Sequence, residues 1–259
     1  MGKDTFRTDA AWSELRLGLF QSYPKWEDAG KSRKRILELL PADAAFDLLV
    51  FPEMCLTGFS MIPERSELSQ EDHEFFAELA RTRNAAVGYC GNVDGKIVFR
   101  LLDRNGHEIG SYAKRHLFAP GGEAENYRCG EEAPSLWQWE GWNILPSICY
   151  DLRFPYQFWK DGPATDLLLL PANWPTARLP HWKALLTARA IENQCWVVGV
   201  NRTGTDIRPR YEGHSLVVAP SGEAAFEATD REGLFIVTLD HAQVAAQRNR
   251  YPFFADRRE

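Results

Sequence analysis

Ile148-Cys149-Tyr150-Asp151-Leu152-Arg153-Phe154-Pro155 is the stretch on which the reading of this chain turns. The apolar run Asn143–Cys149 reads as a strand that ends on a thiol. A turn follows, and Pro155 stands where a helix takes proline in its first turn. A thiol at a strand-to-helix junction is reachable at the strand end, and nearby helix N–H groups favour its thiolate. The same letters also suit a buried, inert structural cysteine. Strand, turn and helix in this order imply an α/β chain.

Working outward, strands and helices alternate before and after this point. Leu15–Phe20 alternates and predicts a strand, and Phe46–Phe51 and Ala85–Cys90 are short apolar runs that predict buried ones. Ala29, Ile36, Leu39 and Leu40 set a helix over Asp28–Leu40. Phe75, Phe76, Leu79 and Ala80 set another over Ser69–Arg83. Asp94-Gly95, Asn105-Gly106 and Gly141 separate alternating runs and predict hairpins. Asp166–Leu170 and Cys195–Val200 predict two further buried strands. Between them, His181–Gln194 predicts a helix with Leu185, Leu186, Ala188 and Ile191 on its apolar face. His214–Ala219 and Leu234–Leu239 complete the sheet elements. Sheets with helices packed outside them follow from this mixture; periodicity leaves open whether there is one sheet or two. Residues 1–259 contain no repeat and no Gly/Ser linker, so a single domain is expected, with 1–13 as a loosely ordered N-terminal tail.

Two other strand ends carry chemistry. Phe51-Pro52-Glu53 delivers a carboxylate beside an apolar run, where desolvation raises its pKa and suits it to general-base work. Tyr112-Ala113-Lys114-Arg115-His116 places a lysine after a hairpin strand, where an ammonium can stabilise an oxyanion. An ordinary solvated glutamate and a surface basic cluster fit these two segments as well. The order glutamate, lysine, cysteine, each at the end of a strand-like run, narrows the choice.

With that order the chain resembles the nitrilase superfamily of carbon–nitrogen hydrolases, whose triad is Glu–Lys–Cys. The flanking motifs correspond to LVFPEMCLTGF, YAKRHLF and ICYDLRFP. PANWP (171–175), HWKALLTARAIENQ (181–194), WVVGVNRTGTD (196–206) and SLVVAPSGE (215–223) look like its bacterial ω-amidase, YafV-type, branch. The resemblance runs from Leu15 to about Pro252. It implies a four-layer α-β-β-α sandwich that pairs into homodimers through outer helices. It also implies catalytic roles for Glu53, Lys114 and Cys149, and a second glutamate between Lys114 and Cys149. Glu123 matches by its distance before Tyr127, with Glu125 as competitor. Tyr150, Arg153 and Trp174 are the expected substrate-binding residues, Arg153 because a guanidinium grips a carboxylate in bidentate fashion. An ion pair with Asp151 or another acid is the other reading of Arg153, and core packing that of Trp174. One departure is the short loop Gly91–Gly95, where the family often has a longer loop bearing an Asn.

Composition bounds the function. The chain has 259 residues, 44% hydrophobic, with net charge −6. No basic face points to nucleic acid, and runs such as Asp166–Pro171 are too short to cross a bilayer. The segment MGKDTFRTDA has no apolar signal core, and Phe6 breaks the myristoylation pattern. Five cysteines without a CxxC argue against a disulfide framework. A cytoplasmic enzyme is expected, and Asn201-Arg202-Thr203 is then an accidental glycosylation match. The scattered histidines show no metal-ligand spacing, so neither metal nor cofactor is expected. The resemblance, with Arg153 four residues after Cys149, implies hydrolysis of the terminal amide of a keto-dicarboxylic acid monoamide, 2-oxoglutaramate or 2-oxosuccinamate, through a cysteine thioester. Rival readings are another amidase or carbamoylase of the superfamily, a Cys–His protease using His116 or His181, and a non-catalytic interaction protein on the same fold.

Overall fold

The computed structural model describes residues 13–206 and 209–258. The expected N-terminal tail therefore lies, up to residue 12, outside the described residues. The chain opens with β1 (Glu14–Gln21), α1 (Ala29–Leu39), β2 (Leu48–Val50), α2 (Gln70–Arg83), β3 (Ala86–Val93), β4 (Lys96–Leu102), β5 (Glu108–Ala113) and α3 (Glu123–Asn126). It continues through β6 (Trp137–Trp139), β7 (Trp142–Pro146), α4 (Tyr156–Trp159), β8 (Leu167–Ala172), α5 (Leu179–Asn193) and β9 (Trp196–Asn201). Last come β10 (Thr203–Thr205), β11 (Arg210–Glu212), β12 (Leu216–Val218), β13 (Ala224–Glu227), β14 (Gly233–Asp240) and α6 (Ala242–Arg250).

Among the described residues, two six-stranded sheets form, in the orders β14-β1-β2-β3-β4-β5 and β13-β12-β9-β8-β7-β6. Each has a parallel centre, β1-β2-β3 and β7-β8-β9, flanked by antiparallel strands. The period-2 alternation of β1 explains why two layers are needed. Leu15, Leu17 and Leu19 point into the core between the sheets, while Phe20 points outward to meet Phe51, Phe76 and Ile36 under α1 and α2. On the other sheet Leu167–Leu170 are wholly buried, since Trp182, Leu186 and Ala190 of α5 cover the outer face. The result is the α-β-β-α sandwich.

Local signals account for the helix starts. Asp28 caps α1 by accepting from the Lys31 N–H, and Ser69 with Asp72 forms a reciprocal capping box on α2. The Asp94-Gly95 and Glu140-Gly141 turns both have positive φ at two successive residues. This suits the right-handed twist of a two-residue hairpin.

Three expectations change. Gly91–Val93 is no loop but the end of β3, paired with Lys96–Val98, and only Asp94-Gly95 turns. Asn92 is tolerated inside because its amide donates to the Pro63 carbonyl. The strand before Cys149 stops at Pro146, and Cys149–Arg153 forms a 3-10 turn. The buried stripe of α5 is Leu179, Trp182, Leu186, Arg189, Ala190 and Asn193. Leu185 and Ala188 are half-buried, and Ile191 lies exposed on the opposite side, because the stripe steps by three and four from Leu179.

Asn201 is fully buried, and its amide donates to the carbonyls of Trp174 and Gly213, so the Asn201-Arg202-Thr203 match offers no acceptor on the surface. Among the described residues no helix is long and apolar enough to cross a membrane.

Candidate active site

Four strands deliver polar residues just beyond their C-terminal ends. Glu53 follows β2, whose pairing continues as Phe51 N–H donates to the Gly88 carbonyl. Lys114 follows β5, held by its own N–H on the Ile97 carbonyl. Cys149 follows β7 after Ser147 bonds Leu169, and Asn173 follows β8. Met54 and Cys149 both adopt positive φ, at 51° and 44°. For residues other than glycine this is strained backbone, which persists where the surroundings over-determine it.

These residues meet although they are far apart in sequence. Lys114 Nζ donates to Glu53 Oε1 at 2.8 Å and to Glu123 Oε2 at 2.7 Å. Glu53 Oε2 accepts from the Asn173 backbone N–H at 2.9 Å, and Glu123 Oε2 also accepts from the Phe118 N–H. Cys149 Sγ lies 3.8 Å from the Asn173 carbonyl oxygen. Exposure is 0% for Glu53, 1% for Lys114, 5% for Glu123 and 7% for Cys149. Glu125 is exposed, so Glu123 is the second glutamate at Lys114.

One ammonium between two buried carboxylates sets the electrostatics. Burial pushes Glu53 above the ordinary carboxylate range; Lys114 pulls it back and Glu123 adds to the rise. Burial alone would lower Lys114, yet Glu53, Glu123 and Cys149 outweigh it and hold the ammonium well above its usual value. The Cys149 thiol is raised well above its usual value by burial and then by Glu53. The N–H-rich turn therefore does not make a resting thiolate here. A raised carboxylate beside a protonated thiol is instead suited to take the proton as the bond forms.

Cys149 opens on a cleft of about 30 Å³ walled by Phe118, Glu123, Tyr150, Arg153, Asn173, Trp174, Pro175 and Arg178. All three expected substrate-binding residues are therefore on its wall. Arg153 does not pair with Asp151. That carboxylate is taken by Tyr112 Oη, by the His116 N–H and Nδ1, and by the Ile148 N–H. Arg153 lies over the Trp174 ring at 4.8 Å and meets His181 Nδ1 at 3.3 Å. Trp174 is 2% exposed, packs against Trp182 and forms part of the wall. His116 and His181 are engaged with Asp151 and Arg153, and neither lines the Cys149 cleft. Cys55 packs in the outer core with Phe20 and Leu56, away from the cleft, and burial pushes its thiol up to about 12.

Sequence reasoning missed Asn173 and Arg178. A signal existed for Asn173, which ends the wholly apolar strand LLLLPA much as Glu53 ends LLVFP. Arg178 carried none, since it reaches the cleft from the turn ahead of α5.

Residues 16–249 match the carbon–nitrogen hydrolase family. The chain is 37% identical over 253 residues to the ω-amidase YafV of Yersinia enterocolitica, covering 94% of this chain and 97% of that one. It is 33% identical over 223 residues to the 2-oxoglutaramate amidase of Bacillus subtilis, covering 82% and 85%. The crystal structure of XC1258 from Xanthomonas campestris, a CN-hydrolase superfamily protein with an arsenic adduct in its active site, superposes with a TM-score of 0.87. It is 32% identical, covering 96% of this chain and 98% of that one. Fold, strand-end constellation and these relationships agree: the chain belongs to the carbon–nitrogen hydrolase family of the nitrilase superfamily, close to its ω-amidase branch, and is an enzyme that hydrolyses carbon–nitrogen bonds.

Proposed function

We propose that the enzyme removes the terminal amide of small keto-dicarboxylic acid monoamides, 2-oxoglutaramate or 2-oxosuccinamate, releasing ammonia and the diacid. The observation that carries this reading is that Arg153 and Arg178 share the cleft of Cys149. Among the described residues neither pairs with a carboxylate; Arg153 rests on Trp174 and Arg178 on Phe118. Positive charge without a protein counter-ion beside the nucleophile suits a substrate that brings its own carboxylate. The cleft volume is about that of one water. So narrow a cleft suits a short, flexible diacid chain better than a bulky acyl group.

In this reading Glu53 takes the Cys149 proton while sulfur attacks the amide carbon. Lys114 and the Tyr150 backbone N–H hold the developing oxyanion. Glu53 returns the proton to nitrogen, ammonia leaves, and a thioester remains. Water, deprotonated by the same carboxylate, adds to the thioester; the acid departs and the thiol is restored. Glu123 keeps Lys114 charged and oriented. Ammonia release across a panel of small amides tests the substrate class. Replacing Arg153 with Ala should raise KM for 2-oxoglutaramate by roughly 30-fold or more, the effect of losing a charge-assisted contact of about 2–5 kcal/mol. A neutral short-chain amide should be affected far less. Equal losses on both would leave Arg153 a packing residue. A wild-type preference for the neutral amide would favour the second reading, an amidase or carbamoylase for another small amide.

The protein is further proposed to act as a homodimer in the cytoplasm. Tyr156 and Trp159 of α4, Ile191 of α5, and Tyr251 and Phe253 are exposed large apolar side chains. Arg257 lies over the Trp159 ring, and Gln194 at the end of α5 donates to the Tyr251 carbonyl. Exposed large apolar side chains of this kind suit an association site. Light scattering should give twice the chain mass, and Trp159→Asp should shift it to one chain. A wild-type monomer at micromolar concentration would overturn the dimer.

A further inference from the structure

Asn173 stands out among the residues on the cleft wall. It is 6% exposed, yet neither its side-chain oxygen nor its side-chain nitrogen has a hydrogen-bond partner among the described residues. A buried carboxamide left unpaired costs free energy, so such a group usually has a ligand or a functional reason to be there. Glu123 on the same wall, by contrast, is bonded to Lys114 and to the Phe118 N–H.

Chain continuity places Asn173 next to both Cys149 and the Trp174 ring on which Arg153 rests. Its backbone N–H is bonded to Glu53, and its carbonyl oxygen lies 3.8 Å from Cys149 Sγ. The next residue, Trp174, carries the Arg153 guanidinium on its ring. A keto-dicarboxylic monoamide held with its amide carbon at Cys149 and its carboxylate at Arg153 has its 2-oxo group in between. Lys114 and the Tyr150 N–H take the amide oxygen, and Arg153 takes the carboxylate. The keto oxygen is then the acceptor left over, and the Asn173 amide is the neutral donor left over.

We propose that the Asn173 carboxamide reads the 2-oxo group of the substrate, Nδ2 donating to the keto oxygen. This rests on the ω-amidase reading and deepens it, since carboxylate recognition alone accepts glutaramate, the same monoamide with CH₂ in place of the keto carbon. A site built to bond a substrate oxygen rejects the analogue that lacks it, because the protein group then stays unpaired.

The test is steady-state kinetics on 2-oxoglutaramate and glutaramate for wild type, Asn173→Ala and Asn173→Leu, with thermal melting of each. Leu keeps the shape of Asn without its polar atoms. Wild type should prefer the keto substrate by roughly 10- to 100-fold in kcat/KM. Both variants should bring the ratio close to one, mainly through a higher KM for 2-oxoglutaramate, since the contact is remote from the reacting carbon. Melting should stay close to wild type, because the side chain makes no hydrogen bond among the described residues. Equal losses on both substrates would assign Asn173 to general support of Glu53 and overturn the proposal, whether or not melting fell. A wild type that cleaves both substrates equally well would overturn it too, while leaving the ω-amidase reading in place. A wild type that prefers neutral amides to either substrate would sink that reading and this proposal together.

Discussion

Cys149→Ala is expected to abolish amide hydrolysis, with kcat lower by roughly 10⁴-fold or more, because it removes the thiol that lines the cleft. The fold should survive. Alanine differs from cysteine by the sulfur alone and keeps the same left-handed backbone cost at φ 44°. Cys55→Ala is the matched control. That thiol sits in the outer core under α1 and α2, so its loss should lower stability through the cavity left behind while turnover persists. Assay of both variants on any amide that wild type turns over decides the matter. Substantial turnover by Cys149→Ala, with Cys55→Ala inactive, would reverse the assignment. Mass spectrometry of wild type quenched in acid during turnover should show the acyl adduct on the peptide that carries Cys149.

The second large effect is expected from the charges around the thiol. Glu53→Gln and Lys114→Ala should each lower kcat by on the order of 10²–10⁴-fold, the range for losing a general base or an oxyanion donor. The losses should not add. Glu53→Gln placed on Cys149→Ala should cost almost nothing more, since the residues act as one unit. Modest, additive losses confined to KM would contradict the roles assigned here. In wild type, kcat/KM should fall on the acid side as Glu53 is protonated, at a pH above the ordinary carboxylate range, because burial raises that group. Lys114→Ala has a stability consequence as well. Two buried carboxylates lose their shared cation, a loss of about 3–5 kcal/mol for a broken buried pair. Glu53 has a folded-state pKa above its unfolded value, and the rise grows without Lys114. The folded state then binds more protons than the unfolded one. Stability of the variant should therefore improve as pH falls through the raised pKa and worsen above it. A melting deficit independent of pH would show that the loss comes from packing instead.

Much of this was legible in the letters. Periodicity located the β1, β2, β3, β8 and β9 strands and the α1, α2 and α5 helices within a few residues, because each pattern is local and repeats with the element's own geometry. Three polar residues at the ends of apolar runs marked Glu53, Lys114 and Cys149, and the resemblance joined them into a triad. α6 went unread since Val244 is its one buried residue and its pattern is too thin to register. Gly91-Asn92 passed for a loop because a buried Asn inside a strand becomes affordable only when a distant carbonyl, here that of Pro63, accepts from it.

What tertiary structure alone decided is which strand ends meet. Lys114 reaches Glu53 across 61 positions, and Asn173 reaches Glu53 across 120. β14 returns from the far end of the chain to pair with β1. Spacing along a sequence encodes the face a residue takes within its own element; it carries no record of sheet order or of which two faces pack. The choice of Glu123 over Glu125, the release of Arg153 from Asp151 and the unpaired carboxamide of Asn173 all follow from that packing. So do the directions of the Glu53, Lys114 and Cys149 shifts, because burial and the spacing between charges exist only once the two sheets have closed on each other.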